Sequence, residues 1–301
     1  MAQAKRYPYG LTTEVDMENS EQNLLSKYKK MMISFWLFTL VVILWGAWVR
    51  ISHSGDGCGD HWPKCLGEFI PNATESKTWV EYTHRLMSGI YGLVVVGLAW
   101  AFGRKNTPQK TRYLAWVLFI LMIIEAGLGA LLVKKNLVTV NDSVERLIVM
   151  SLHQLNSFLL TGVTFIFSLS FYKKINFKVS KFSLLFLLIC TTGAIAALSS
   201  TLFPSISLLE GIIKDFNEDS HIFLKLRILH PLLALSIAGY LSYYFYNKNQ
   251  NRLALEFFAA LFIGVITLLT LSPVYLKLIH LFVGHYIWAR LLEYSFSETR
   301  H

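Results

Sequence analysis

Eight apolar runs, near residues 31–50, 80–102, 113–133, 146–171, 182–202, 222–246, 253–272 and 274–294, take up most of this 301-residue chain. About 20 consecutive apolar residues cross the hydrocarbon core as a helix, and lipid forces each backbone polar group to be satisfied within the protein. The runs therefore predict an all-α membrane protein with eight transmembrane helices. Only 16% of the residues are charged, where a soluble chain carries about 25%. The formal net charge of +9 would suit a nucleic-acid binder if it were clustered on one face. Here the basic residues sit in short loops between apolar runs, which is a topology signal. Membrane lipid is the expected surrounding, and no nucleic-acid partner is expected.

Lysine and arginine concentrate in alternate loops, among them Lys29, Lys30, Arg104, Lys105, Arg112, Lys173, Lys248 and Arg252. By the positive-inside rule these face the cytoplasm, so both termini are expected inside. Residues 1–30 are polar and mixed in charge, without an apolar stretch before a cleavage-type site. They read as a retained cytoplasmic tail. The polar loop 51–79 then lies on the extracytoplasmic side. It carries Cys58 and Cys65, whereas Cys190 falls inside an apolar run. A loop pair plus a buried leftover fits one disulfide on an oxidising face. Gly59 and Pro63, between the two cysteines, permit a tight reversal. The pair reads either as a staple or as a thiol–disulfide exchange centre.

With this orientation the even-numbered helices run inward, and each carries a histidine early in its span: His84, His153, His230 and His280. At a rise of about 1.5 Å per residue all four lie in the outer third to half of the bilayer. Ionisable groups at that depth are costly and point to function. Imidazole pairs facing inward across a helix bundle suit heme iron, which takes one nitrogen on each face; zinc or copper needs three or four ligands at one point. His285, five residues beyond His280, competes for the ligand role but faces another way.

A weak repeat supports two sites. Gly46 to His84 spans 38 positions and Gly193 to His230 spans 37, and EYTHR (81–85) is similar to LRILHP (226–231). The expected organisation is two pseudo-repeated four-helix halves, 31–172 and 181–295, each supplying two histidines. Glu81 shares a helix face with His84. It reads as a general base or proton donor near the iron, or as a helix N-terminal acid. Arg85 and Arg227, at the outer ends of histidine-bearing helices, could pair with heme propionates or snorkel to the interface. Glu125 faces the bundle without an assigned role.

The stretch GAWVRISHSGDGCGDHWPKCLG (46–67) together with EYTHR, SLHQLNS (151–157), LRILHP and LIHLFVGHYIW (278–288) resembles the heme A synthase family across roughly 35–290. The resemblance implies an oxidoreductase that converts heme O to heme A for terminal oxidases, taking the C8 methyl to a formyl group. It implies that His84 and His153 belong to the substrate-heme half with Glu81 essential nearby. His230 and His280 would hold a heme b cofactor in the second half, and Cys58 and Cys65 would match the family's first-loop pair. The implied partners are heme O, an unspecified electron acceptor, and heme O synthase or the terminal-oxidase assembly machinery. The implied location is a bacterial cytoplasmic membrane. Two departures stand out: no cysteine pair in the 203–221 loop, and Glu125 where the family pattern suggests Gln. The alternatives are a di-heme cytochrome b for electron transfer, and a quinone-linked thiol oxidase built around Cys58 and Cys65.

Overall fold

The computed structural model describes residues 14–171, 173, 175–176 and 180–296, with side chains from residue 28 onward. All regular structure among them is helical: α1 Glu14–Ile51, α2 Ser76–Phe102, α3 Gln109–Lys134, α4 Val144–Leu169, α5 Lys181–Leu202, α6 Leu208–Phe216, α7 Ile222–Asn247, α8 Asn251–Leu269 and α9 Val274–Phe296. Seven of these (α1 from Tyr28, α2 to α5, α7 and α8) are long and apolar enough to cross a membrane. The protein is a multi-pass membrane protein. The last apolar run does form a 23-residue helix, α9, which packs on α1, α4, α5 and α8. It carries Lys277, His280, His285, Arg290 and Glu293 and is more polar than the other seven. Helix already begins at Glu14, inside the stretch expected to be a tail; residues 1–13 lie outside the described residues.

Association of helices in lipid draws little from the hydrophobic effect, so close packing and small residues must supply it. α4 shows this best, packing on α1, α3, α5 and α9. Its buried face includes Asn156, Ser157, Thr161, Gly162, Thr164 and Ser168. The hydroxyls of Thr161 and Thr164 donate to backbone carbonyls one turn back, so they enter the interior without an unmet donor. Gly162 admits the Trp288 indole; a methyl placed there would lie 2.4 Å from Trp288 Nε1. That indole donates to the Phe158 carbonyl at 2.7 Å. At the other end of the bundle, Phe102, Phe167 and Phe171 form an edge-to-face aromatic cluster.

Two local features interrupt the regular helices. α7 breaks its ladder at Ile228 and passes through a π-turn at Ala234–Ala238. Pro231 has no N–H to donate one turn back, and helices meet that loss with local rewinding. The α8–α9 turn puts Leu271 and Ser272 at φ 61° and 56° just before Pro273, which reverses the chain sharply as the proline leads one to expect.

Candidate functional site

His84, His153, His230 and His280 lie eight, nine, eight and six residues beyond the first residues of α2, α4, α7 and α9. All four helices start at the bundle end that carries the cysteine loop, so the rings sit about 9–14 Å along their helices from that end. Each ring packs against a glycine of the preceding long helix. A methyl on Gly46 (α1) would lie 2.8 Å from His84 Cε1, and one on Gly129 (α3) 3.8 Å from His153 Cε1. The corresponding distances are 3.1 Å for Gly193 (α5) and His230, and 3.0 Å for Gly264 (α8) and His280. At Gly46, Gly193 and Gly264 the missing side chain lets the imidazole edge approach the neighbouring backbone and leaves the ring little freedom to turn, whereas at Gly129 a methyl would make only ordinary contact with His153.

His230 and His280 face one another with ring centroids 6.1 Å apart and planes at 71°. A metal–imidazole bond of about 2 Å, plus about 1 Å from nitrogen to ring centre, counted twice, requires about 6 Å. The pair therefore fits one iron between two imidazoles. His230 Nδ1 lies 3.2 Å from the Ile189 carbonyl and 3.5 Å from Thr192 Oγ1. Donating to that carbonyl puts the proton on Nδ1 and leaves Nε2 free as a ligand, which is how metal-bound histidines are usually oriented. Nδ1 of His84, His153 and His280 is buried and makes no hydrogen bond.

In the first half His84 and His153 lie near one another. His153 Nδ1 is 3.4 Å from Glu125 Oε1. Glu125 is held in turn by Asn156 Nδ2 at 2.7 Å and by the Ser157 hydroxyl. The sequence left Glu125 without a role; the fold makes it the carboxylate behind a proposed ligand, and no motif could have announced a contact between α3 and α4. His285 is fully buried, stacked on Phe158 at 3.9 Å and paired through Nδ1 with Thr161 Oγ1. It belongs to the α4–α9 contact.

Cys58 and Cys65 are joined in a disulfide, and Gly59 and Gly67 turn this loop at φ 64° and 84°. The loop docks on the start of α2. Gly57 approaches so closely that a methyl there would lie 2.5 Å from the Lys77 backbone, and Thr78 Oγ1 donates to the Gly57 carbonyl at 2.8 Å. Glu81 completes the docking. Its Oε2 accepts the Cys58 N–H at 2.8 Å, and its Oε1 accepts Arg85 Nε at 3.1 Å and Nη2. Arg85 Nη1 donates to the carbonyls of His61 and Lys64. Although Glu81 lies one turn outward from His84, it is 3% exposed and both its oxygens are engaged. The loop folds back over α2 and covers it.

Arg227 is likewise committed, through Nε to Asp215 Oδ1 and through Nη2 to the Gly211 carbonyl at 3.0 Å. Both partners come from α6, a short helix in the 203–221 loop that sequence reasoning missed. Burial raises the Asp215 carboxyl above its ordinary range against the pull of Arg227. Arg85 and Arg227 thus clamp the two large loops, with few donors left for a bound anion.

The sequence profile of a family described as cytochrome oxidase assembly protein (COX15-CtaA) matches residues 29–292. A protoheme IX farnesyltransferase of Thermus thermophilus is 32% identical over 274 residues, covering 84% of this chain and 45% of that protein. A heme A synthase of Exiguobacterium sp. is 39% identical over 92 residues, covering 30% of this chain and 31% of that one. The heme A synthase of Symbiobacterium thermophilum is 40% identical over 92 residues, 30% of each chain. This chain spans less than half the length of these curated relatives, so the names belong to those whole proteins. The profile match runs from the first membrane helix to the last, and the chain belongs to the family of cytochrome oxidase assembly proteins.

Proposed function

We propose that this chain is a membrane oxidoreductase that converts heme O to heme A, oxidising the C8 methyl to a formyl group for terminal oxidases. The observation that carries the reading is the His230–His280 pair, two imidazoles held 6.1 Å apart, each seated on a glycine of the preceding helix. In the first half His84 is seated in the same way on Gly46, and His153 lies in ordinary contact with Gly129. In this reading the chain forms eight spans in two pseudo-repeated halves, 31–172 and 181–295. Both termini face the cytoplasm of a bacterial cell and the cysteine loop faces outside. The repeated glycine–histidine seating is what favours two halves.

His230 and His280 would hold heme b, and His84 and His153 the substrate heme. When bound there, heme b would supply reversible one-electron chemistry between substrate and an external electron acceptor. The chain's own residues position and shield. Gly46, Gly193 and Gly264 crowd the imidazoles of His84, His230 and His280, and Glu125 would place a carboxylate 3.4 Å from His153 Nδ1. The docked disulfide loop covers the outer end of α2. Glu81 would hold or pass a proton one turn outward from His84, in a place closed to bulk water. Heme O synthase and the oxidase assembly machinery are the expected partners.

A second reading is favoured by one observation. Because Glu81 is fully engaged in clamping the loop, its presence beside His84 has a structural explanation that a two-heme electron-transfer cytochrome b would share. Extracting pigments from a heme-O-producing host with and without this protein separates the two: heme A appears only if the chain is a synthase. In the purified protein, His230→Ala and His280→Ala should each abolish the heme b spectrum. His84→Ala and His153→Ala should spare most of that spectrum and end heme A production. Loss of heme b from His285→Ala with retention in His280→Ala would show that the wrong histidine has been assigned.

A further inference from the structure

Three cations share the loop end of the bundle, and no ion pair within 4 Å reaches any of them among the described residues. Arg50 lies in the last turn of α1, Arg146 in the first turn of α4 and Lys277 in the first turn of α9. α1, α4 and α9 pack on one another, with α1 running opposite to the other two, so the three side chains share one end of the bundle. Arg50 lies near both Arg146 and Lys277. Arg146 is 2% exposed and donates through Nη1 to the carbonyls of Thr139, at 2.7 Å, and Asn141. Its charge is partly answered by Asp142. Yet Nε of Arg146 and Nε of Arg50 are both buried without a hydrogen-bond partner. No ion pair reaches Arg50 or Lys277 among the described residues.

Buried donors on like charges are expensive unless something accepts from them. The guanidinium fork matches a carboxylate or phosphate, and a lysine nearby adds a point charge. The place of the cluster narrows the choice. Arg50 is one turn outward from Gly46, the seat of His84, and Arg146 is two turns outward from His153 on the same helix. Arg85 and Arg227, the arginines that the sequence suggests for this task, are committed to the loops.

We propose that Arg50, Arg146 and Lys277 form an oxyanion site for the carboxylates of the porphyrin held between His84 and His153. This rests on the heme reading above. Lys277 reaches across from the second half, so the substrate would also bridge the two halves.

The test titrates the purified full chain in detergent with protoheme and with its dimethyl ester, following the heme absorbance band. Esterification removes the negative charge and leaves the ring and the iron intact. The expected result is that the diacid binds about tenfold or more tightly than the diester, the scale of a charge-assisted hydrogen bond. Arg50→Gln and Lys277→Gln should each reduce that preference, and His84→Ala should remove it. The wild-type comparison needs no variant and stands even if a variant folds poorly. Equal binding of acid and ester by the wild type overturns the proposal, as does a preference that survives both charge removals. A preference retained in His84→Ala places the carboxylates at the other heme and also overturns it. Co-purified phospholipid lost from the variants, with acid and ester bound alike, would make a lipid phosphate the occupant instead. Failure of either porphyrin to bind at all would overturn the heme reading itself, a distinguishable result.

Discussion

Replacing Glu81 by Gln sets two explanations of one residue against each other. The carboxylate accepts three donors, the Cys58 N–H and two from Arg85. The two side chains are only 4% and 11% exposed. Gln keeps the size and offers one oxygen, so its amide must point N–H groups at one of those donors. Breaking a buried pair by removing one charge costs about 3–5 kcal/mol. That is enough to free the cysteine loop and lower the yield of folded protein. If Glu81 only clamps, Arg85→Gln should do the same damage from the other side, and heme A per folded molecule should fall alike in both variants. If Glu81 also handles a proton, Glu81→Gln should lose about two further orders of magnitude of product at matched folded protein, while Arg85→Gln keeps most of its turnover. The assay is heme A yield normalised to folded protein, with alkylation of Cys58 and Cys65 after mild reduction reporting how open the loop is. Near wild-type yield per folded Glu81→Gln molecule would refute the proton role. An undisturbed loop in both variants would refute the clamp.

The glycine seats make a separate prediction. Gly46→Ala, Gly193→Ala and Gly264→Ala each place a methyl within 3.1 Å of an imidazole carbon, so heme absorbance should drop while helicity is retained. Gly97→Ala, where a methyl meets nothing within 4 Å, should keep full heme; equal loss in all four would sink the idea. Gly162→Ala drives a methyl into the Trp288 indole and should cost about 1–3 kcal/mol, read as a lowered melting temperature in detergent. With Cys58 and Cys65 both serine, the staple reading expects reduced yield and intact specific activity, and normal abundance with lost turnover would point to thiol exchange. Reporter fusions at Asn106 and Asn176 should read cytoplasmic and one at Asn72 extracytoplasmic; a cytoplasmic Asn72 would reverse the orientation.

What the sequence determined by itself follows from what lipid demands. An apolar run of about 20 residues satisfies its own backbone in hydrocarbon by forming a helix, and so the helical class, the order of the helices and the polar loop with Cys58 and Cys65 were legible in one dimension. The distance of the four histidines along their helices was legible too, since helix rise converts position into length. The motifs around them were enough to point to the family that the profile match identifies. What faces what was not legible. That Gly264 seats a histidine as Gly46 and Gly193 do depends on which helices are neighbours and on their rotation, which apolar composition leaves undetermined in a solvent as apolar as the side chains. α6 was hidden because nine residues of helix in a loop are stabilised by contacts such as Asp215 with Arg227, not by periodicity long enough to read. The roles of Glu81 and Arg85 changed for the same reason: their partners Cys58, His61 and Lys64 lie more than twenty residues away, and only the folding of the loop onto α2 brings them together. The meeting of Arg50, Arg146 and Lys277 from three distant helices is likewise a decision of the tertiary structure, since the packing of α1, α4 and α9 alone sets like charges side by side at one end of the bundle.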